Sequence, residues 1–245
     1  MPEPLAWQIA TVTGVRPESA EVKSFTLALP AWRPHRAGQH YDVRLTAEDG
    51  YQAQRSYSIG SPPSQTGEVE VTIERIPDGE VSPYFHDVLR VGDQVEVRGP
   101  IGGYFVWEPA LGGPLLLVAG GSGVVPLMAM LRERSAAGDD TPTALLYSSR
   151  TLDDVIYREE IDALAVAKDG VGAFQTLTRS QPPDWTGYAR RIDREMLSEV
   201  LASIGPQPLA YICGPTLLVE AAANGLVELG VPPARVRTER FGPTT

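Results

Sequence analysis

The stretch Leu115-Leu116-Leu117-Val118-Ala119-Gly120-Gly121-Ser122-Gly123-Val124-Val125-Pro126 decides the fold. Its first five residues form an unbroken apolar run, the pattern of a strand covered on both faces, as in a parallel sheet. A glycine-rich turn follows, and from Pro126 to about Ala137 the pattern predicts a helix. In that context glycines let the backbone approach a pyrophosphate, and the start of the helix adds favourable dipoles. The spacing is not G-x-G-x-x-G, and a purely structural tight turn is the competing reading.

Downstream, strand and helix alternate. Thr143 to Tyr147 reads as another buried strand. Thr151-Leu152-Asp153-Asp154 offers a cap for a helix ending near Ala167, and Ala173 to Thr178 reads as a third strand. Asp193 can cap a helix to Ile204, stopped by Gly205. Leu209 to Cys213, Pro215 to Leu229 and Arg235 to Arg240 then read as strand, helix and strand. The expected architecture is a doubly wound α/β sheet.

Upstream the pattern is different. Trp7 to Val15, Val22 to Leu29, Tyr41 to Thr46, Gln52 to Ile59, Glu68 to Arg75 and Gln94 to Arg98 combine β-branched and aromatic residues with partial alternation, separated by turn formers. Only one short helical stretch, near Ser82 to Leu89, interrupts them. Six such segments predict an antiparallel six-stranded β-barrel. The expected division is residues 1–110 for the barrel and 111–245 for the α/β domain, with the boundary near Glu108 to Pro114.

Composition narrows the function. The 245 residues carry a net charge of −10, which argues against a general nucleic-acid binder. The longest apolar candidate, Pro114 to Met130, is broken by glycines and Pro126 and falls short of the roughly 18 residues a membrane helix needs. Met1-Pro2-Glu3-Pro4 lacks a basic, apolar leader pattern, so the expected compartment is the cytoplasm. One cysteine, Cys213, cannot form an internal disulfide or by itself hold zinc or an iron–sulfur cluster. No metal site is expected.

Four short segments have chemical potential. In Arg55-Ser56-Tyr57-Ser58, alternation puts Arg55 and Tyr57 on one strand face and Ser56 and Ser58 on the other. An Arg fork can pair with phosphate, and the aromatic can stack on a flat ring. The same residues also suit a strand ending in a Ser-Pro turn. In Gly79-Glu80-Val81-Ser82-Pro83, Ser82 is a candidate N-cap and Pro83 a candidate first helical residue, so the backbone there could meet a phosphate or simply be capped. The glycine loop Gly120 to Val124 is the third segment. Cys213-Gly214-Pro215 is the fourth, at a strand end where side chains face a ligand crevice; an inert buried thiol is the alternative.

In this order, and with the terminal Glu239-Arg240-Phe241, these motifs resemble the ferredoxin–NADP reductase superfamily from about Trp7 to Phe241. The resemblance implies bound FAD, with FMN less favoured, and NADP as the dinucleotide, with NAD the alternative. Arg55 and Ser56 would belong to the flavin segment, with Arg55 on the diphosphate, Tyr57 against the isoalloxazine and Ser58 near its N5. Gly79, Val81 and Ser82 would meet the flavin phosphates, and Ile73, Glu74 and Arg75 the flavin edge. Gly120, Gly121, Ser122, Gly123 and Val124 would cradle the dinucleotide pyrophosphate. Cys213, Gly214 and Pro215 would border the nicotinamide, and Glu239 and Phe241 would close the site. Ser58, Cys213 and Glu239 are the expected catalytic residues.

The resemblance also implies direct passage of a hydride from nicotinamide to flavin, with the protein supplying position and electrostatics. Tyr147-Ser148-Ser149-Arg150 ends the second α/β strand, where the family reads the ribose. Ser149 and Arg150, helped by Arg158 and Arg179, would favour a 2′-phosphate, and solvated surface arginines are the alternative. With no cysteine cluster and no residues left for a globin, the electrons are expected to go to a separate ferredoxin, flavodoxin or oxygenase component. Direct reduction of a ferric chelate, free flavin or quinone, and a non-catalytic electron-transfer subunit, are the alternatives. A basic patch of Arg33, His35, Arg36, Arg132 and Arg134 is one expectation for docking an acidic carrier, with scattered surface charge the other.

Overall fold

The computed structural model describes residues 5–167 and 170–241; the opening Met1 to Pro4 segment lies outside them. The first six strands are β1 (Gln8–Ser19), β2 (Val22–Ala28), β3 (His40–Thr46), β4 (Gln52–Ser58), β5 (Glu68–Glu74) and β6 (Gln94–Ile101). They form one antiparallel sheet in the order β4-β3-β6-β1-β2-β5. A bridge from Ile59 to Val71, with the Gly60 N–H on the Glu70 carbonyl at 2.8 Å, joins the two edges and closes the barrel. Alternate residues point inward, so Phe25, Leu27, Val43, Val71 and Val97 pack in one apolar core.

The second half is a five-stranded parallel sheet in the order β11-β10-β7-β8-β9. Its strands are β7 (Leu115–Gly120), β8 (Thr143–Ser149), β9 (Val171–Leu177), β10 (Leu209–Pro215) and β11 (Val236–Phe241). Leu115, Leu117 and Ala119 pack in one cluster, and Leu116 and Val118 in another on the opposite face. That split explains the continuous apolar run: both faces of β7 are covered. A short helix α1 (Val81–Pro83) belongs to the barrel, and α2 (Val124–Ala136), α3 (Arg158–Val166), α4 (Arg194–Ile204) and α5 (Thr216–Glu228) to the α/β half. Asp193 caps α4 by accepting the Met196 N–H at 2.8 Å, and Gly205 ends it.

Three local expectations need correction. Ser82 is not a cap: the helix begins at Val81, and the Ser82 hydroxyl accepts the Ile76 N–H at 3.0 Å instead. Pro83 is therefore the last residue of a single α turn, which continues as a wider π turn over Tyr84–Val88. Thr151 does form a capping box with Asp154, but only for the 3-10 turn Leu152–Asp154. The chain then breaks at Tyr157, whose φ of 58° lies in the left-handed region, before α3 starts at Arg158. The break lets the Tyr157 ring enter the junction between the two halves, where its hydroxyl lies 2.5 Å from Thr72 Oγ1 and 3.3 Å from Glu70 Oε1.

The expected basic patch loses three of its five members, while Arg36 stays exposed. His35 is buried, its Nε2 3.3 Å from the Ser61 carbonyl, and burial lowers its pKa. Arg134 is buried and donates to the Thr141 carbonyl. Arg132 is spent on the domain junction: it donates to the Gly60 carbonyl at 2.7 Å, pairs with Glu70 at 2.7 Å and Glu160 at 2.6 Å, and stacks over Tyr157. Of the expected patch, Arg132 is an ion-paired structural residue, and His35 and Arg134 are buried against backbone carbonyls.

Candidate active site

Strand β4 is held from one face and open on the other. Cross-strand register lines up Ser56, Asp42 and Arg98 on β4, β3 and β6. The Ser56 hydroxyl donates to Asp42 at 2.7 Å, and Arg98 donates to the other Asp42 oxygen at 2.7 Å. Burial opposes the Asp42 charge, but Arg98 and Ser56 outweigh it and hold the pKa below the usual carboxylate value. Trp7 lies under both Arg44 and Arg98, 4.1 and 4.8 Å from the guanidinium carbons. The serine face of β4 is thus tied down, as the alternation of the motif requires. On the other face Tyr57 is half-buried, its ring 6.0 Å from Phe85, and Arg55 is exposed. Arg55 donates to the Gln54 carbonyl and has no carboxylate partner among the described residues. Ser58 is buried at the end of β4, opposite His40.

The neighbouring segments are more occupied than the motif reading expected. The Ile73 side chain lies in the barrel core, and its carbonyl takes the His86 ring nitrogen at 2.8 Å. Arg75 pairs with Asp87 at 2.9 Å. Gly79 forms a turn by donating to the Ile76 carbonyl, and Val81 is buried. At this edge the named side chains are thus buried or already paired.

The loops after β7 and β10 interlock. A Cβ on Gly123 would stand 2.1 Å from the Cys213 carbonyl oxygen, so no side chain fits there. Gly214, at φ +154°, passes so close to Gly120 that a Cβ would lie 3.0 Å from its backbone nitrogen and oxygen. A Cβ on Gly121 would meet nothing within 4 Å, so the loop is clasped on one side and open on the other. Val124 then starts α2 in the core. Pro215 is exposed and begins the turn into α5.

Cys213 sits opposite Glu239 in the β10–β11 register and is fully buried. Burial, with the Glu239 carboxyl as a lesser cause, pushes the thiol pKa well above its ordinary value, so the sulfur is a neutral thiol. Burial also pushes the Glu239 carboxyl up to about 7, and its Oε2 is shielded from solvent with no hydrogen-bond partner. Phe241, opposite Pro215, packs partly against the cluster of Leu117 and Ala119. Ser149 ends β8 with a shielded hydroxyl that has no partner. Arg150 and Arg179 follow at adjoining strand ends: the Arg179 N–H donates to the Arg150 carbonyl at 2.8 Å, and both side chains are exposed. Arg158 stands apart, 3.7 Å from Asp162 on its own helix.

Three features fit a flavin and a dinucleotide: an arginine with no acid partner beside a half-buried aromatic, a glycine loop that excludes side chains on its clasped side, and a carboxyl oxygen left orphaned between strands. Two side-chain arrangements were invisible in the sequence. The Ser56–Asp42–Arg98 row depends on strand register. Glu74, which accepts the Ser122 hydroxyl at 2.9 Å, depends on the packing of barrel against sheet.

Comparison with known proteins agrees with this geometry. Residues 10–106 match the oxidoreductase FAD-binding domain family and residues 117–224 the oxidoreductase NAD-binding domain family. The chain is 35% identical over 241 residues to ferredoxin–NADP reductase B of Sorangium cellulosum, covering 95% of this chain and 96% of that protein. It is 28% identical to the phenol hydroxylase P5 protein of Acinetobacter pittii, over 95% of this chain but 65% of that longer protein. Among solved structures, the flavohem-like FAD/NAD-binding domain of nitric oxide dioxygenase from Vibrio cholerae superposes with a TM-score of 0.84 at 26% identity, covering 96% of this chain and 98% of that one. A barrel that matches an FAD-binding domain, joined to a sheet that matches an NAD-binding domain, makes this chain a member of the ferredoxin–NADP reductase family: an NAD(P)H-dependent flavoprotein oxidoreductase.

Proposed function

We propose that this reductase draws on NADPH in preference to NADH and delivers its electrons to a separate carrier protein: a ferredoxin, a flavodoxin or an oxygenase component. The observation that carries the dinucleotide preference is the pair Arg150 and Arg179 at adjoining ends of β8 and β9. Arg179 has no acidic partner among the described residues, and the Arg150 guanidinium has only Glu74, at 3.9 Å. Two exposed guanidinium groups at strand ends suit a 2′-phosphate, which an acidic residue there would repel. Names among the relatives, a ferredoxin–NADP reductase and a phenol hydroxylase P5 protein, support a protein acceptor.

Bound FAD would supply two-electron oxidation of the nicotinamide and stepwise release to the acceptor. This chain's residues bind, orient and shield. Arg55 pairs with the flavin diphosphate, and Tyr57 offers its ring face, held by Phe85 behind it. The helix start at Val81 and Ser82 offers backbone N–H groups to the flavin phosphates, with Gly79 turning the chain just before it. The loop from Gly120 to Val124 carries the dinucleotide pyrophosphate. Ser58, the neutral Cys213 thiol and Gly214 border the reacting rings, Glu239, its pKa raised to about 7, exchanges between its protonated and ionised forms beside them near neutral pH, and Phe241 closes the edge. Steady-state kinetics with both reductants test the preference. One charge-assisted contact to the 2′-phosphate corresponds to about tenfold or more in kcat/KM for NADPH; a higher kcat/KM for NADH reverses the reading. Parallel assays with a ferredoxin and with a ferric chelate test the acceptor, and faster chelate reduction would make the chain a small-molecule reductase.

A further inference from the structure

Three elements that are distant in sequence converge on one carboxylate. Glu74 ends barrel strand β5, Ser122 lies in the glycine loop, and Arg150 follows β8. The Ser122 hydroxyl donates to Glu74 Oε2 at 2.9 Å, and Arg150 Nη2 stands 3.9 Å from Glu74 Oε1. Two of the groups able to receive the phosphates of a dinucleotide therefore already face an anion belonging to the chain. Glu74 is the only carboxylate paired with either of them among the described residues. Its side chain keeps about a third of its exposure (33%), so it can swing away without leaving a buried cavity.

We propose that Glu74 is a specificity-determining residue for the dinucleotide: an internal carboxylate that occupies the Ser122 and Arg150 anion sites in the free chain and must yield when phosphates arrive. This rests on the reading that Ser122 and Arg150 face the dinucleotide. An incoming pyrophosphate takes the Ser122 hydroxyl from Glu74, and a 2′-phosphate takes Arg150; both then meet the like charge that remains nearby. The carboxylate lowers affinity for the whole class, and more for the ligand with the extra phosphate. In return it keeps the loop hydroxyl and the guanidinium from finding other partners between turnovers, and it couples the barrel to the loop that receives the dinucleotide.

The test uses the FAD-loaded full chain and two fragments that undergo no redox chemistry, ADP-ribose and 2′-phospho-ADP-ribose, titrated by calorimetry. Glu74→Gln keeps an acceptor for Ser122 and removes the charge. It should tighten 2′-phospho-ADP-ribose by about fivefold, as expected for one partly screened like charge, and ADP-ribose by less. The gain should shrink as ionic strength rises. Unchanged or weaker binding of both fragments by Glu74→Gln overturns the proposal, because a residue that merely positioned the loop would lose affinity or leave it untouched. Arg150→Ala separates this from the underlying reading. It should weaken 2′-phospho-ADP-ribose alone and remove the difference that Glu74→Gln makes between the two fragments. If Arg150→Ala leaves both fragments unaffected, Arg150 does not read the 2′-phosphate, whereas a gain with Glu74→Gln would still place the competing charge at Ser122. If both variants change nothing, both ideas fall.

Discussion

Glu239 shows how much a single side chain depends on its surroundings. The sequence places it near the end of the last strand, but nothing local says that one oxygen will be sealed from solvent without a partner. Burial disfavours the charged form, so its pKa rises from an ordinary 4.5 to about 7 in the folded chain. Because the folded value is the higher one, this group's contribution favours the fold below about 4.5 and is lost as pH climbs to about 7. Glu239→Gln cannot ionise, so the gap in Tm between variant and wild type should move in favour of the variant across that window. Parallel curves of Tm against pH would show that the carboxyl ionises freely in the fold. Cys213 follows the same logic. Its place at a strand end was legible, but its chemical state was not, because the protonated thiol results from burial and from the carboxyl on the adjacent strand.

Elements were read well wherever a local cause dominates. The apolar run of β7, the Asp193 cap and the Gly205 stop each carry their own signal, and the structure follows them. Where tertiary contacts compete, local signals lose: Ser82 gives up its capping role to the Ile76 N–H, and the helix after Thr151 is split so that Tyr157 can reach the barrel. The glycine loop is the clearest element-scale case. Its sequence announces close backbone approach, and the partner turns out to be Cys213. Gly123→Ala would bring a methyl within 2.1 Å of that carbonyl, forcing the β7 and β10 loops apart. The expected result is a loss of about 1–3 kcal/mol in stability, the usual cost of overpacking, together with weakened dinucleotide binding. Denaturant melts and calorimetry check both, and full retention of both would mean that the clasp gives way cheaply.

At the scale of the whole molecule, the two halves are joined by polar groups as well as by an apolar cluster. Tyr157 donates its backbone N–H to Glu18, Glu133 accepts the Ser64 N–H, and Tyr211 donates to the Val106 carbonyl. Arg132 is the hub, touching Gly60 and Glu70 of the barrel and Glu160 of α3. Removing one member of a buried ionic set leaves its partners uncompensated. Arg132→Met should therefore cost about 3 kcal/mol in equilibrium unfolding. A cost near zero, with an unchanged midpoint, would mean that water replaces the guanidinium. The same hub takes Arg132 out of the expected docking face: charges counted in a sequence have no address until their partners are known.

The sequence by itself determined the barrel, the parallel sheet and their order, and it singled out the segments of the candidate site, because hydrophobic periodicity and glycine or proline punctuation are local signals. Only the tertiary structure decided which arginines are free and which are spent, which carboxyl is orphaned, and which acid stands beside the glycine loop. Pairing, burial and register depend on residues brought together from distant parts of the chain, and no window along the sequence contains both partners.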